Sequence, residues 1–80
     1  MLIPIGHGNY VMEMHVLGVL KAEGSAVRRL RAEAKDRGQL IDATSGNKTR
    51  SVIVAVTGQM ILSAVRPDAL KGRFAPNRPG

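Results

Sequence analysis

A short polar stretch between two β-prone runs constrains the fold more than any other part of the sequence. The runs occupy residues 40–43 and 51–54, and the stretch between them carries Asn47, Lys48 and Arg50. Apolar runs separated by turn residues predict a β-hairpin. Its tip would present cationic side chains clear of the sheet, where they could donate hydrogen bonds to an anion.

The charge balance indicates which anion this could be. The 80 residues include 12 Lys and Arg against 6 Asp and Glu, which gives a formal net charge of +6. Such a balance favours phosphate backbones, anionic membranes or acidic partners. A nucleic acid is the expected polyanion, with Lys48 and Arg50 donating to its phosphates. The alternative is that these charges only keep a hairpin tip solvated.

Chain length and aromatic content limit the core. Tyr10 and Phe74 are the only aromatic residues, so the core must be aliphatic. A chain of this length buries only about 60% of the surface that its unfolded form exposes. Small domains with modest cores often gain stability by association, and we therefore expect a homo-oligomer. One domain is expected over residues 1–74, followed by a frayed tail over 75–80.

Hydrophobic periodicity predicts an α+β domain with a small, mostly antiparallel sheet. A short strand is expected at residues 2–5, followed by a turn at residues 6–9. Residues 10–21 predict a longer strand, with a break or bulge at Gly18. These elements precede the main helix.

One main helix, a second hairpin and a short C-terminal helix complete the pattern. The main helix should begin after an N-cap at Ser25 and end at Gly38. Its narrow apolar stripe consists of three residues, Val27, Leu30 and Ala34. Residues 51–56 and 60–65 predict a second hairpin that shares a strand with the first. The short C-terminal helix is expected over 67–71, with a proline in its first turn.

Several classes of function are excluded by what the sequence lacks. Without cysteine, disulfides and thiolate metal sites are excluded. No acids are suitably spaced around the two histidines, His7 and His15, so no metal site is expected. The longest apolar run, 52–56, is far below the roughly 20 residues that span a bilayer. We therefore expect a cytoplasmic protein without membrane contact. The absence of nucleotide-binding and catalytic motifs predicts no enzyme activity, no cofactor and no small-molecule substrate.

Two further groups allow a structural or a functional interpretation. The cations from Arg28 to Arg37 could form a second basic surface, although a solvated helix face is the simpler interpretation. Asp42 lies inside an apolar strand, where its carboxylate could accept turn amides or pair with an arginine of a neighbouring strand or subunit. A structural role is expected for Asp42.

Several sequence blocks resemble the RemA family, bacterial regulators of extracellular-matrix genes. The blocks are Gly6-His7-Gly8-Asn9, Asp36-Arg37-Gly38, Leu40-Ile41-Asp42-Ala43-Thr44, Gly46, Thr49-Arg50 and Ile61-Leu62-Ser63-Ala64-Val65. The resemblance implies a transcriptional regulator that assembles into a ring-shaped homo-oligomer and binds DNA. In that picture DNA wraps around the ring through phosphate contacts and DNA deformability more than through base readout.

The resemblance also implies which residues contact DNA. The family's turn usually reads Gly-Arg-Arg-Thr-Arg; here the first Arg is replaced by Asn47 and the second by Lys48, whereas Arg50 is retained. A further family Arg, on the second strand, falls at His15. Phosphate contacts are thus expected from Lys48 and Arg50. A hydrogen bond to the DNA backbone is expected from Asn47, and assistance from His15 when it is protonated.

Three functions remain open at this point. The first is a DNA-binding regulator of the RemA type. The second is an oligomeric scaffold or interaction module without DNA binding, which the replacement of family arginines by Asn47 and His15 favours. RNA binding is the third, because the phosphate argument applies to it equally. The two aromatic residues offer little surface for stacking RNA bases.

Overall fold

The computed structural model describes residues 1–74, which contain six strands and two α-helices. In chain order they are β1 (Leu2–Gly6), β2 (Asn9–Met12), β3 (Val16–Lys21), α1 (Ser25–Asp36), β4 (Leu40–Asp42), β5 (Ser51–Ala55), β6 (Met60–Ser63) and α2 (Pro67–Lys71). A 3₁₀ helix over Glu13–His15 separates β2 from β3. The predicted α+β class, with one main helix and a short C-terminal helix, is confirmed. The predicted tail, 75–80, lies outside the described residues.

The strands form two sheets. β1 and β2 pair antiparallel, and the other strands form a four-stranded sheet in the spatial order β3-β5-β6-β4. Within this sheet β5 is antiparallel to both β3 and β6, whereas β4 runs parallel to β6. The predicted small and mostly antiparallel sheet is confirmed, as is the second hairpin, formed by β5 and β6.

The first predicted hairpin, over residues 40–54, is wrong. β6 lies between β4 and β5, and β4 pairs with β6 through Leu40 opposite Met60 and Asp42 opposite Leu62. An apolar–polar–apolar pattern specifies two strands and a connection, but it does not specify the partner of each strand. The segment 43–50 is therefore a crossover loop from the edge of the sheet to its interior, and its cations do not sit on a hairpin tip.

The predicted strand over residues 10–21 is interrupted twice. The 3₁₀ helix at Glu13–His15 divides it, and the register of β3 on β5 shifts between Val16 and Gly18. The division has a topological reason, because β2 pairs with β1 whereas β3 pairs with β5 in the other sheet. The bulge near Gly18 agrees with the sequence prediction, and the break at residues 13–15 was not predicted.

Both faces of the four-stranded sheet are covered. Successive residues of β5 point to opposite faces, so Val52 belongs to the apolar cluster that includes Ala34 of α1. Ile53 belongs to the cluster on the other face, with Ile3 of β1 and Leu70 of α2. The domain thus has three layers, with α1 on one side of the sheet and the β1–β2 pair and α2 on the other. Its core is aliphatic, as predicted.

The ends and the buried face of α1 differ in part from the prediction. The N-cap is Gly24, and no side chain caps the helix, so the N-cap predicted at Ser25 is wrong. Gly38 has φ of +68°, which confirms a left-handed residue just after the helix. Ala34 is fully buried, whereas Leu30 is 41% exposed, so the buried stripe is narrower than predicted.

Candidate nucleic-acid interface

The crossover loop 43–50 opens with a tight turn. The backbone N–H of Asn47 donates to the carbonyl oxygen of Thr44 at 3.0 Å. The two residues between them, Ser45 and Gly46, have φ of +51° and +80°. Positive φ at both central positions is typical of a type I′ turn, and glycine adopts it without steric cost. Residues 48–50 follow this turn and lead directly into β5.

Asp42 anchors the start of the turn. Its Oδ1 accepts hydrogen bonds from the hydroxyl of Thr44 at 2.6 Å and from the backbone N–H of Thr44 at 2.9 Å. The hydroxyl bond first, and then the amide bond, hold the pKa of the Asp42 carboxyl below its ordinary value. Loss of hydration opposes them, and the Arg31 guanidinium adds a smaller lowering. The carboxylate therefore accepts a turn amide, which is the structural role expected from the sequence.

The side chain of Asn47 is engaged within the protein. Its Nδ2 lies 3.0 Å from the carbonyl oxygen of Thr44 and 3.2 Å from Nε2 of His7. His7 belongs to the turn between β1 and β2, where Asn9 also reaches the carbonyl oxygen of Ala43 at 3.5 Å. The β1–β2 turn thus supports the loop from the side. The side chain of Asn47 therefore stabilises the loop that carries Lys48.

Lys48 and Arg50 line a cleft of about 410 Å³, which we call the basic cleft. The cleft lies where the end of β3, the crossover loop and the start of α2 meet. Its lining consists of Lys21, Glu23, Lys48, Thr49, Arg50, Arg66, Pro67 and Asp68. All six charged side chains of this set are exposed. Four of them are cationic and two are carboxylates.

A second hollow of about 250 Å³, the helix hollow, adjoins the basic cleft. The two share Glu23, Lys48 and Thr49, and the helix hollow adds Arg28 and Arg31 from α1. We call the two hollows together the basic face. Its six cationic side chains are Lys21, Arg28, Arg31, Lys48, Arg50 and Arg66. Two arginines of α1 therefore lie on the same surface as the cations of the crossover loop.

His15 lies at the other end of the sheet. In the β3–β5 register Lys21 pairs with Ser51, next to Arg50, whereas Val16 pairs with Ala55. From Ser51 to Ala55, β5 spans about 13 Å at the usual strand rise. Of the four residues predicted to contact DNA, the structure brings Lys48 and Arg50 together in the basic cleft. Asn47 supports the same loop, and His15 is not brought to the basic face within one chain.

Sequence reasoning missed Lys21 and Arg66 of the basic face, because they are scattered in the sequence. It considered the helix cations, which include Arg28 and Arg31, as a second basic surface, but took a solvated helix face as the simpler interpretation. Lys21 and Arg66 converge because β3 is antiparallel to β5 and because Arg66 lies a few residues after the end of β6. Lys21 could have been predicted only from the register of β3 on β5, and no local sequence pattern gives that register.

Comparison with known proteins identifies the family. A family model described as RemA-like, Extracellular matrix regulatory protein A-like, matches residues 2–74. The chain belongs to the RemA-like family. The resemblance carried by the sequence blocks is thereby confirmed over nearly all of the chain.

Individual relatives support the RemA-like assignment. A protein of Cyanothece sp. strain PCC 7425 is 46% identical over 77 residues, which cover 96% of this chain and 85% of the relative. One from Acaryochloris marina is 44% identical over 96% of this chain and 88% of its own length. A third, from a Synechococcus strain, is 43% identical over 99% of this chain and 89% of its own length. All three bear the name "Putative regulatory protein".

The described part of the RemA-like chain lacks two other features. Among residues 1–74, no group of three or more His, Asp or Glu side chains is arranged to hold a metal ion. Neither helix of the described part has the length and apolar character needed to cross a membrane. The basic face is the candidate functional site because it gathers six cationic side chains on one surface.

Proposed function

We propose that this RemA-like protein is a transcriptional regulator that binds DNA through its basic face, and that it has no catalytic role. One observation carries the proposal: four separate segments of the chain deliver six cationic side chains to one surface. Lys48 lines both hollows and Arg50 lines the basic cleft, and these are the positions where the resemblance implies phosphate contacts. The regulatory name of the family's members supports the same conclusion.

The chemistry of the basic face suits phosphates more than base edges. Arginine offers a planar fork that can donate two hydrogen bonds to one phosphate, and lysine offers a point charge. Each phosphate that is neutralised releases counterions, so affinity should fall steeply with salt. The lining of the basic cleft contains no aromatic side chain, the kind of residue on which successive bases of a single strand usually stack. Duplex DNA is therefore preferred over single-stranded RNA as the ligand.

Self-association is part of the proposal, and an exposed apolar strip supports it. The strip consists of Leu2, Tyr10, Met12, Met14, Leu17 and Val56, which lie along β1, β2 and the adjoining end of the large sheet. Met14 and Leu17 are 73% and 72% exposed. Several large apolar side chains exposed on so small a domain favour an interaction site there. Covering it with a second copy would add buried area to a small core, in line with the ring that the resemblance implies.

A titration of labelled duplex DNA tests the proposal. Fluorescence anisotropy between about 50 and 200 mM salt should show steep loss of affinity for any sequence. The double variant Lys48→Ala, Arg50→Ala should weaken binding at every salt concentration and reduce the log–log slope by up to about 2. The matched control is Arg29→Ala with Lys71→Ala, which removes two charges that line neither hollow. Equal behaviour of the two double variants would contradict the assignment of the site.

A second candidate function is an oligomeric scaffold without DNA binding. It is favoured by the inward engagement of Asn47 and by the distance of His15 from the basic face. Mass measurement in solution, combined with the DNA titration, separates the two functions. A stable oligomer without salt-dependent DNA affinity would support the scaffold. Salt-dependent DNA affinity that the double variant removes would support the regulator.

A further inference from the structure

Two features of the basic cleft are not explained by contact with a DNA backbone. Its volume of about 410 Å³ falls in the range of sites that hold small ligands, whereas a duplex needs only exposed cations. The cleft also contains the carboxylates of Glu23 and Asp68. Two anionic groups among the cations oppose binding of a uniform polyanion.

The lining of the basic cleft combines two kinds of hydrogen-bonding partner. Lys21, Lys48, Arg50 and Arg66 donate only, and they match phosphate oxygens. Glu23 and Asp68 accept only, and they match hydroxyl or amino groups. A ligand that satisfies both sets has a phosphorylated end and an end with hydroxyl donors. Thr49 can donate or accept between the two.

The wall formed by Pro67 adds an apolar contact. Its ring is half-buried at the start of α2, between Arg66 and Asp68. A flat heterocycle could pack against this ring while its sugar hydroxyls reach a carboxylate. Phosphates, sugar hydroxyls and a flat ring occur together in nucleotides.

We propose that the basic cleft binds a phosphorylated nucleoside. We further propose, and this part rests on the proposed function, that the nucleotide competes with DNA. The competition follows from geometry, because Lys48 and Arg50 line the cleft and also carry the proposed phosphate contacts to DNA. A bound nucleotide would occupy their donors and bring negative charge to the surface that DNA must approach. The cleft would then link DNA binding to the supply of a small nucleotide.

Calorimetric titration of the full chain with three probes tests the cleft without DNA. The probes are ATP, inorganic tripolyphosphate and adenosine, all in the presence of EDTA so that metal complexes do not form. ATP should bind more tightly than either part, because only ATP engages the cations and the carboxylates together. Tripolyphosphate that binds as tightly as ATP would show charge attraction alone and would overturn the proposal. Absence of ATP binding would overturn it as well.

Variants of the cleft make the assignment specific. Arg66→Ala should weaken ATP binding about tenfold, the usual effect of losing a charge-assisted hydrogen bond. Asp68→Asn should reduce the preference for ATP over tripolyphosphate, whereas loss of charge repulsion alone would strengthen both equally. Arg29→Ala removes the same charge outside the cleft and should change ATP affinity by less than about twofold. Thermal melting should first show that both variants are folded. If they are, equal effects of Arg66→Ala and Arg29→Ala on ATP affinity would contradict the site. If Arg66→Ala does not fold, Arg66→Lys replaces it in the same comparison.

Competition is measured separately, so that the two proposals fail independently. ATP should displace labelled DNA from the wild-type protein more effectively than tripolyphosphate at equal ionic strength. ATP binding without DNA displacement would overturn the competition and leave the cleft ligand standing. DNA binding without ATP binding would overturn the cleft ligand and leave the proposed regulator standing. If the protein binds ATP and no DNA, the proposed function fails and the cleft assignment survives.

Discussion

The side-chain amide nitrogen of Asn47 lies 3.2 Å from Nε2 of His7, although 40 residues separate them in the sequence. Asn47 also donates to the carbonyl oxygen of Thr44, so its amide nitrogen is a donor and Nε2 of His7 is the acceptor. In the neutral ring the proton then resides on Nδ1. This contact joins the turn between β1 and β2 to the loop that carries Lys48 and Arg50.

Removing either partner of this contact should destabilise the protein in a coupled way. We expect Asn47→Ala to lower the free energy of unfolding by about 1 kcal/mol, because it also removes the bond to Thr44. His7→Ala should cost less, and the double variant should show a coupling of about 0.5 kcal/mol in urea unfolding. His15→Ala with Asn47→Ala is the control pair, since those residues lie far apart and should be additive. Additivity of His7→Ala with Asn47→Ala would show that the contact contributes nothing.

The helix hollow predicts that arginines on α1 are not equivalent. The pair Arg28→Ala, Arg31→Ala should weaken DNA binding and reduce the salt dependence, because both residues line the basic face. Arg29→Ala with Lys71→Ala removes the same charge elsewhere and should have a smaller effect. Anisotropy titrations over a range of salt measure both. An equal loss of DNA affinity in the two double variants would mean that only net charge matters and that the helix hollow is not a contact surface.

The net positive charge of the basic face can also be increased by removing a carboxylate from it. Glu23 lines both hollows, so its carboxylate lies near most of the cations. Glu23→Gln should strengthen DNA binding by a few-fold at low salt, and the gain should shrink as salt rises. Glu33→Gln on the outer part of α1 is the control. A larger gain from Glu33→Gln than from Glu23→Gln would contradict the location of the surface.

The bonds from Thr44 to Asp42 should appear in the acid stability of the protein. Because the pKa of Asp42 is lowered in the folded state, its contribution is complete above the unfolded pKa of about 3.9. That contribution is lost as pH falls through the lower folded value. Thr44→Val removes the hydroxyl bond, which should reduce stability at neutral pH and make the further loss below about pH 4 shallower. Urea unfolding across the acid range measures this.

An exposed threonine provides the control for this pH dependence. Thr57 lies in the turn between β5 and β6, where its hydroxyl donates to the side-chain oxygen of Gln59. It is not among the residues that shift the pKa of Asp42. Thr57→Val should leave the shape of the acid profile unchanged. If Thr44→Val follows the same profile as the wild type, the lowered pKa of Asp42 has another cause.

The apolar strip predicts the effect of a charge on assembly. Leu17→Glu should lower the mass measured by light scattering, because a carboxylate would have to be buried at the proposed contact between copies. Leu30→Glu is the matched control, since Leu30 is also exposed but lies on α1, outside the strip. A wild-type protein that is monomeric at high concentration would refute self-association directly. A Leu17→Glu variant that assembles normally would place the interface elsewhere.

Local patterns predicted most elements of the fold and few of their partners. Most strands follow from periodicity, although β2 and β3 were predicted as a single strand. The helix α1 and the exact extent of α2 follow from periodicity and from turn residues such as Gly38 and Pro67. The parallel pairing of β4 with β6 does not, because the same pattern also fits a hairpin. The N-cap predicted at Ser25 is wrong because Ser25 is already the first residue of the helix, and Gly24, with φ of +112°, precedes it.

The candidate site was predicted in part for the same physical reason. Lys48 and Arg50 are close in sequence, so a local pattern reveals them. Lys21 and Arg66 reach the same cleft only through the register of β3 on β5 and the path of the chain after β6. His15 is the opposite case. The family pattern groups it with Lys48 and Arg50 as a DNA contact, but within one chain it lies at the other end of the sheet.

The pairing of β3 with β5 determines when the basic cleft can form during folding. Lys21 pairs with Ser51, which lies 30 residues later in the chain, and the lining of the cleft extends to Asp68, beyond the last strand. Contacts between residues that are far apart in the chain slow folding. We therefore expect the basic cleft to form only after synthesis has passed Asp68.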